Sequence, residues 1–131
     1  MKRIMFFFCA SVCISGCNHF TGGFNAYFWT SNQDPGSHLY IDNNDRGVLP
    51  HFDKAPSCSD ESMKQNALFV YLPSGTYDIE VRDNNGKTMY EENFTVKRSF
   101  NSTTIKSSTK WKKSGARGKN ENDCLIREIY Y

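Results

Sequence analysis

The sequence lacks several features that would define a function directly. No apolar run approaches the ~20 residues that a membrane-spanning helix needs. Basic and acidic side chains nearly cancel, with 16 Lys and Arg against 14 Asp and Glu, so net charge gives no argument for a nucleic-acid partner. The chain has 131 residues, 38% of them hydrophobic and 15% aromatic. This is the composition of one compact domain and not of a disordered or fibrous protein.

Motifs of catalytic and cofactor sites are also missing. No serine lies in the Gly-x-Ser-x-Gly pattern of a hydrolase, and no glycine-rich phosphate-binding loop is present. Glu91 and Glu92 are adjacent in a predicted strand, so they point to opposite faces and cannot act on one bond. An alternative is a calcium site formed by Asp42, Asp45 and Asp53, although these residues lack the regular spacing of a calcium-binding loop. We therefore expect no enzyme activity, no cofactor and no metal.

The amino terminus predicts export from the cytoplasm. Lys2 and Arg3 precede the 11-residue stretch Ile4–Ile14, which is apolar apart from Ser11. A positive start followed by a short apolar run is typical of a secretory signal peptide. The stretch ends in Ile14-Ser15-Gly16-Cys17, which resembles the bacterial lipobox.

The lipobox resemblance implies a lipid anchor. It implies diacylglycerol on the thiol of Cys17, cleavage before this residue and acylation of the new amino group. Residues 1–16 are then a lipoprotein signal peptide, 17–24 a lipidated tether and 25–131 the folded domain. Because Asn18 is not the Asp associated with inner-membrane retention in enteric bacteria, we expect an outer-membrane location. An ordinary signal peptide cleaved nearby, with Cys17 incidental, is the alternative.

Two further cysteines remain after cleavage at the lipobox. The remaining number is even, and disulfides persist in the compartment to which the chain is exported. We therefore predict a bridge between Cys58 and Cys124. In the chain-entropy model, a bridge that closes a loop of roughly 65 residues stabilises the fold by on the order of 4 kcal/mol. Two separate thiols, or a metal site that includes His51, are the alternatives. His51 and Cys58 do not have the close spacing of a zinc-binding pair.

Apolar residues of the mature chain recur with strand spacing. Strands are predicted at 25–30, 37–42, 67–72, 77–82, 87–97, 100–106 and 124–131, with a helical turn within 59–65, a hairpin turn at 83–86 and an exposed basic loop at 111–122. The continuous apolar run 67–72 is the pattern of a strand buried on both faces. About seven short strands predict an all-β fold, namely a small antiparallel β-sandwich.

Part of this strand pattern resembles the PEGA-type β-sandwich module of bacterial envelope proteins. The matching stretches are Leu39-Tyr40-Ile41-Asp42, then Gly47-Val48-Leu49-Pro50, then Leu72-Pro73-Ser74-Gly75-Thr76-Tyr77 leading into an alternating strand. The module usually has Gly directly after the Asp, where this chain has Asn43. The resemblance covers about 45 residues and implies envelope anchoring or binding more than catalysis.

Basic side chains are concentrated in one part of the chain. Residues 97–119 contain eight Lys and Arg and no acidic residue, whereas residues 34–92 contain 11 acidic and five basic residues. The predicted anionic-surface site consists of Lys110, Trp111, Lys112, Lys113, Arg117 and Lys119. An indole among cations suits anionic lipid headgroups, acidic glycans or an acidic protein. The alternatives are a solvated loop that maintains solubility, and a core position for Trp111.

Two functions are consistent with these observations. The first is a non-catalytic bacterial envelope lipoprotein, anchored through Cys17, that presents a β-domain for binding or for assembly with an envelope protein, glycan or anionic lipid. The second is a small periplasmic hydrolase or inhibitor-like effector with a site in the loop His51–Asn66. A concave, partly apolar pocket with convergent polar groups favours the second function, and a flat exposed patch favours the first.

Overall fold

The fold is built almost entirely from strands. A computed structural model describes residues 22–33, 36–99, 102–109 and 114–131 of the chain, without the side chains of Lys119 and Glu121. Within these ranges the elements are β1 (Gly23–Trp29), β2 (His38–Ile41), β3 (Asn44–Val48), α1 (Glu61–Asn66), β4 (Leu68–Pro73), β5 (Gly75–Arg82), β6 (Thr88–Arg98), β7 (Thr103–Thr109), β8 (Gly115–Glu121) and β9 (Cys124–Tyr130). The predicted all-β class is therefore confirmed.

The strands form two sheets. One sheet has four strands in the order β4-β1-β9-β8, and the other has five strands in the order β3-β2-β5-β6-β7. Neighbouring strands are antiparallel except β1 and β9, which run parallel. The β-sandwich is confirmed, and the described residues contain nine strands where the sequence predicted about seven.

The two additional strands are β3 and β8. β3 follows a tight turn whose central residues, Asp42 and Asn43, have positive φ angles of 49° and 65°. Asn tolerates this conformation, so the chain makes this turn without a Gly after Asp42. The predicted basic loop 111–122 is wrong for 115–121, which form β8. This strand is polar because it lies at a sheet edge, where backbone pairing with β9 needs no apolar alternation.

The predicted double burial of β4 is also wrong. Val70 and Leu72 are buried, but the side chains of Phe69 and Tyr71 are 53% and 52% exposed. β4 lies at the edge of the four-stranded sheet, and these two side chains are on its outer face. The apolar run therefore forms a strand with one buried face and one exposed face. The sequence of the run alone does not show whether another layer covers its outer face.

The hydrophobic core lies between the two sheets. Its fully buried side chains come from six strands and include Phe24, Phe28, Leu39, Ile41, Leu72, Ile79, Val81, Tyr90, Phe94, Val96 and Ile129. β1 begins at Gly23, two residues before the predicted domain boundary at residue 25. The folded domain therefore includes part of the predicted tether.

The Leu-Pro-Ser-Gly-Thr-Tyr stretch carries the chain from one sheet to the other. Ser74 alone separates β4 from β5, which belong to different sheets. The Tyr77 hydroxyl donates to the Pro73 carbonyl. The Ser74 hydroxyl donates to the Gly22 carbonyl at 3.2 Å and accepts from the Arg98 backbone N–H at 2.9 Å. These bonds tie the crossover to the start of β1 and the end of β6.

A buried ion pair joins the two sheets inside the core. Arg127 of β9 donates from Nε and Nη2 to the two carboxylate oxygens of Glu92 of β6, at 3.0 and 2.5 Å. Its guanidinium also lies 4.0 Å from the ring centroid of Phe94. Burial, reinforced by the negative charge of Glu92, raises the pKa of the neighbouring Tyr90 hydroxyl. Glu92 points into the core and Glu91 does not, as the alternation of a strand requires.

One single variant and one double variant test the cost of this pair. Arg127→Met leaves Glu92 as an unpaired buried charge, so the free energy of unfolding should fall by about 3–5 kcal/mol. The double variant Glu92→Leu/Arg127→Met removes both charges and should recover most of that loss. Urea unfolding followed by circular dichroism measures both quantities. A double variant as unstable as the single one would show that the pair does more than neutralise its own charges.

Candidate functional site

A long connection crosses the outer face of the four-stranded sheet. This connection, Pro50–Asn66, is called the 50–66 segment below. It is joined to the end of β1 by two backbone hydrogen bonds, from Thr30 N–H to the Pro50 carbonyl at 2.8 Å and from Phe52 N–H to the Thr30 carbonyl at 3.1 Å. The Phe52 ring lies 6.0 Å from the ring of Trp29. The segment ends in α1, which confirms the predicted helical turn.

The Cys58–Cys124 disulfide fixes the middle of this segment to the first residue of β9. The two Cα atoms are 6.0 Å apart, and the cysteines are separated by 66 positions. The predicted bridge is therefore confirmed, in place of separate thiols or a metal site. Around it Trp29, Cys124 and Ile126 form a small buried cluster on the face of the sheet opposite to the main core.

A cavity of ≈340 Å³ lies beside this cluster. Its walls come from β1, β8, β9 and the 50–66 segment, and they are formed by Trp29, Ala55, Pro56, Ser57, Arg117, Gly118, Ile126 and Glu128. The indole of Trp29, the ring of Pro56 and the side chain of Ile126 make much of the wall apolar. A volume of this size is at the lower end of the range of small-molecule sites.

The polar side of the cavity is an ordered ion pair. Arg117 donates from Nε and Nη2 to the Glu128 carboxylate at 2.6 and 3.1 Å, and the Ser31 hydroxyl donates to the same carboxylate at 2.5 Å. The bonds from Arg117, followed by the one from Ser31, hold the pKa of Glu128 below its ordinary value. The guanidinium lies 5.3 Å from the ring of Tyr130, and its side chain remains 71% exposed.

This arrangement suits binding better than proton transfer. A carboxylate with a lowered pKa is a poor general acid, and a general acid requires a raised pKa near the working pH. The hydroxyl of Ser57, the nucleophile candidate in the wall, contacts the Ser59 hydroxyl at 3.1 Å and, among the described residues, no base. The cavity offers a ligand an aromatic and aliphatic wall, next to a guanidinium whose exposed edge can bind an anionic group.

The predicted anionic-surface site falls mostly outside the described residues. Lys110, Trp111, Lys112 and Lys113 lie outside them, as does the side chain of Lys119. The structure places Arg117 in the cavity wall with Glu128, so its charge is partly neutralised by a carboxylate. Cys17, the predicted lipidation site, also lies outside the described residues.

The three aspartates considered for calcium are engaged separately. The Asp42 carboxylate accepts from the Asp78 backbone N–H at 2.9 Å, while Asp45 contacts His38 at 3.0 Å and Asp53 contacts His51 at 3.2 Å. In the part of the chain that the structure describes, no three His, Cys, Asp or Glu side chains are grouped to hold a metal ion.

Most of the cavity could not be predicted from the sequence. Trp29 lies in the predicted strand 25–30 and Glu128 in the predicted strand 124–131, and neither residue belongs to a predicted site. The adjacent charges Arg127 and Glu128 within that strand were an available signal, because neighbouring strand residues point to opposite faces. One of the two charges therefore had to enter the core, and the other had to lie on the outer face where the cavity is.

Comparisons with known proteins add no family to these observations. No protein-family model, curated protein sequence or solved structure matches the chain to a significant degree. The PEGA-type resemblance thus rests on the residues quoted for it. In the described ranges no helix has the length and apolarity to span a membrane.

Removal of the disulfide tests what holds the 50–66 segment. The variant Cys58→Ser/Cys124→Ser should lower the free energy of unfolding by about 2–5 kcal/mol, because the unfolded chain regains the entropy that the bridge removes. Amide hydrogen exchange should accelerate most in the 50–66 segment, which has few other backbone bonds. The amides of β5 and β6 serve as the internal control and should stay protected. Uniform loss of protection would contradict a local role for the bridge.

Acid unfolding tests the Arg117–Glu128 pair. Because the pKa of Glu128 in the folded state is below its ordinary value of 4.5, its contribution to stability is present above that value and is lost as the pH falls through the lowered pKa. Arg117→Gln should therefore flatten the fall in unfolding free energy between about pH 5 and 3. Denaturant titrations at several pH values measure this. The control Lys64→Gln removes the Lys64–Glu61 pair, whose carboxylate side chain is 76% exposed, and should leave the profile unchanged.

Proposed function

We propose that the protein is a bacterial envelope lipoprotein, held on a membrane through lipidated Cys17, whose β-sandwich binds an envelope component. In this proposal the protein is located at the outer membrane, and its partner is an envelope protein, a glycan or an anionic lipid. The protein binds or assembles with this partner and has no catalytic activity.

The observation that carries the proposal is the Cys58–Cys124 disulfide. Structural disulfides persist in the periplasm and outside the cell, and they are rare in the cytosol. The bridge therefore supports export, which the signal-like residues 1–16 also predict. The first strand begins at Gly23, six positions after Cys17. A tether of that length reaches at most ~20 Å, so the lipid would hold the domain close to the bilayer surface.

The cavity beneath the 50–66 segment supports the binding part of the proposal. It combines an apolar wall at Trp29 and Pro56 with the exposed guanidinium of Arg117. Such a site fits a compact amphipathic ligand that carries an anionic group. Glycans and lipids of the envelope provide both kinds of group, and so does an acidic side chain of a partner protein.

The alternative is an effector or hydrolase with its site in the same segment. The observation in its favour is that Ala55, Pro56 and Ser57 line a concave cavity with convergent polar groups. A hydrolase would need a base or a second carboxylate there, and among the described residues of the wall the carboxylate is that of Glu128, whose pKa is lowered. An inhibitor-like effector, which needs only a binding site, is compatible with the same geometry.

Lipidation is tested by labelling cells that express the full chain. The wild-type protein should incorporate a fatty-acid label and fractionate with the outer membrane, and Cys17→Ser should lose the label and leave the membrane fraction. Mass spectrometry of the purified protein should show an N-terminal peptide that starts at Cys17 and carries acyl chains.

Cys13→Ser is the matched control, because it removes a thiol of the same predicted signal peptide without touching the lipobox. This variant should be labelled like the wild type. Recovery of an unlabelled, uncleaved wild-type chain from the cytosol would refute the anchor, and labelling of Cys17→Ser would place the lipid elsewhere.

A further inference from the structure

β4 differs from the other edge strands of the sandwich. The remaining edges in the described residues are β3, β7 and β8, which carry charged side chains such as Asp45, Lys106 and Arg117. β4 has the sequence Leu-Phe-Val-Tyr-Leu-Pro and no charge. Charged side chains protect sheet edges against pairing with another strand, and an uncharged apolar edge is open to it.

Phe69 and Tyr71 have exposed aromatic side chains, and their backbone groups point to the unpaired edge of β4. The backbone N–H of Asn25 donates to the Asp123 carbonyl at 2.7 Å, on the β9 side of β1. Successive residues of a central strand direct their backbone groups to alternate sides, so the neighbours of Asn25 bond β4. Their partners there include Val70 and Leu72. Phe69 and Tyr71 therefore direct N–H and C=O groups at the open edge.

The side-chain order of β4 is symmetric about its centre. Leu68-Phe69-Val70-Tyr71-Leu72 reads as aliphatic, aromatic, aliphatic, aromatic, aliphatic in both directions. An antiparallel copy centred on Val70 thus places Phe69 opposite Tyr71 of the second chain and Leu68 opposite Leu72. The four free backbone groups of each copy find partners in this register, because directly opposed residues of an antiparallel pair exchange both hydrogen bonds.

We propose that β4 is a homodimer interface, in which two copies pair antiparallel about Val70 and join their four-stranded sheets into one sheet of eight strands. The aromatic side chains Phe69 and Tyr71 then meet across the junction on the outer face, beside Tyr27, whose ring lies 5.4 Å from that of Phe69. Cross-strand aromatic pairs stabilise such a junction.

The symmetry of the strand selects a second copy over an unrelated partner. A closed two-fold contact needs a surface that is complementary to itself, and β4 meets this condition in both its backbone groups and its side-chain order. The contact is small, so we expect a micromolar dissociation constant. Dimerisation does not depend on the proposed lipid anchor, and failure of the labelling experiment would leave it untouched.

Charge substitutions at the two aromatic positions test the register. In Phe69→Lys/Tyr71→Lys, each Lys faces a Lys of the second copy, and the dissociation constant should rise ~100-fold or more. In Phe69→Lys/Tyr71→Glu, each Lys faces a Glu, and the dimer should persist. Light scattering of the full chain in detergent, over a micromolar concentration series, gives the protein mass of the complex.

Val48→Lys is the matched control, because Val48 lies outside β4 and, like Phe69 and Tyr71, is a large hydrophobic residue with about half of its surface exposed (52%). This variant should dimerise like the wild type. Circular dichroism checks that each variant is folded, as expected for substitutions at solvent-facing positions. A monomeric wild type, a dimer that survives the Lys/Lys change, or loss of the dimer in both double variants would each overturn the proposal.

Discussion

β9 is covered on both of its faces, and this double coverage organises the other elements of the fold. Leu125, Arg127 and Ile129 face the main core, and Cys124, Ile126 and Glu128 face the 50–66 segment. The first face requires a partner for Arg127, which Glu92 of the opposite sheet provides. The second face requires a cover, and the disulfide holds that cover in place. The cavity exists because the cover does not fill the space beside Trp29.

The outer face of the four-stranded sheet has two different parts, because the 50–66 segment covers only some of it. Over β9 and β8 the 50–66 segment encloses a cavity with an indole and an ion pair in its wall. Over β4 the segment leaves the aromatic side chains of Phe69 and Tyr71 about half exposed. One sheet face therefore carries a cavity and, at its edge, a strand whose outward backbone groups have no partner among the described residues.

Much of the fold could be read from local patterns. The alternation at Tyr77–Arg82, the hairpin turn at Asp83–Gly86 and the apolar run before Pro73 all correspond to elements of the structure. β3 and β8 could not be recognised, because a polar edge strand has no apolar face to reveal its period. Of the candidate site, Cys58 and Cys124 were predicted as a pair from their number and compartment. Trp29 and Glu128 became site residues only when β1, β8 and β9 were brought together.

The all-β class, seven of the nine described strands and the number of cysteines available for a bridge follow from the amino-acid sequence alone. These properties depend on residues that are close in the chain, so a local pattern reports them. Long-range packing sets which face of each strand is covered, which of the neighbouring charges Arg127 and Glu128 enters the core, and which strand lies at an edge. Those outcomes depend on contacts between residues up to about a hundred positions apart, as between Ser31 and Glu128, and no local pattern contains them.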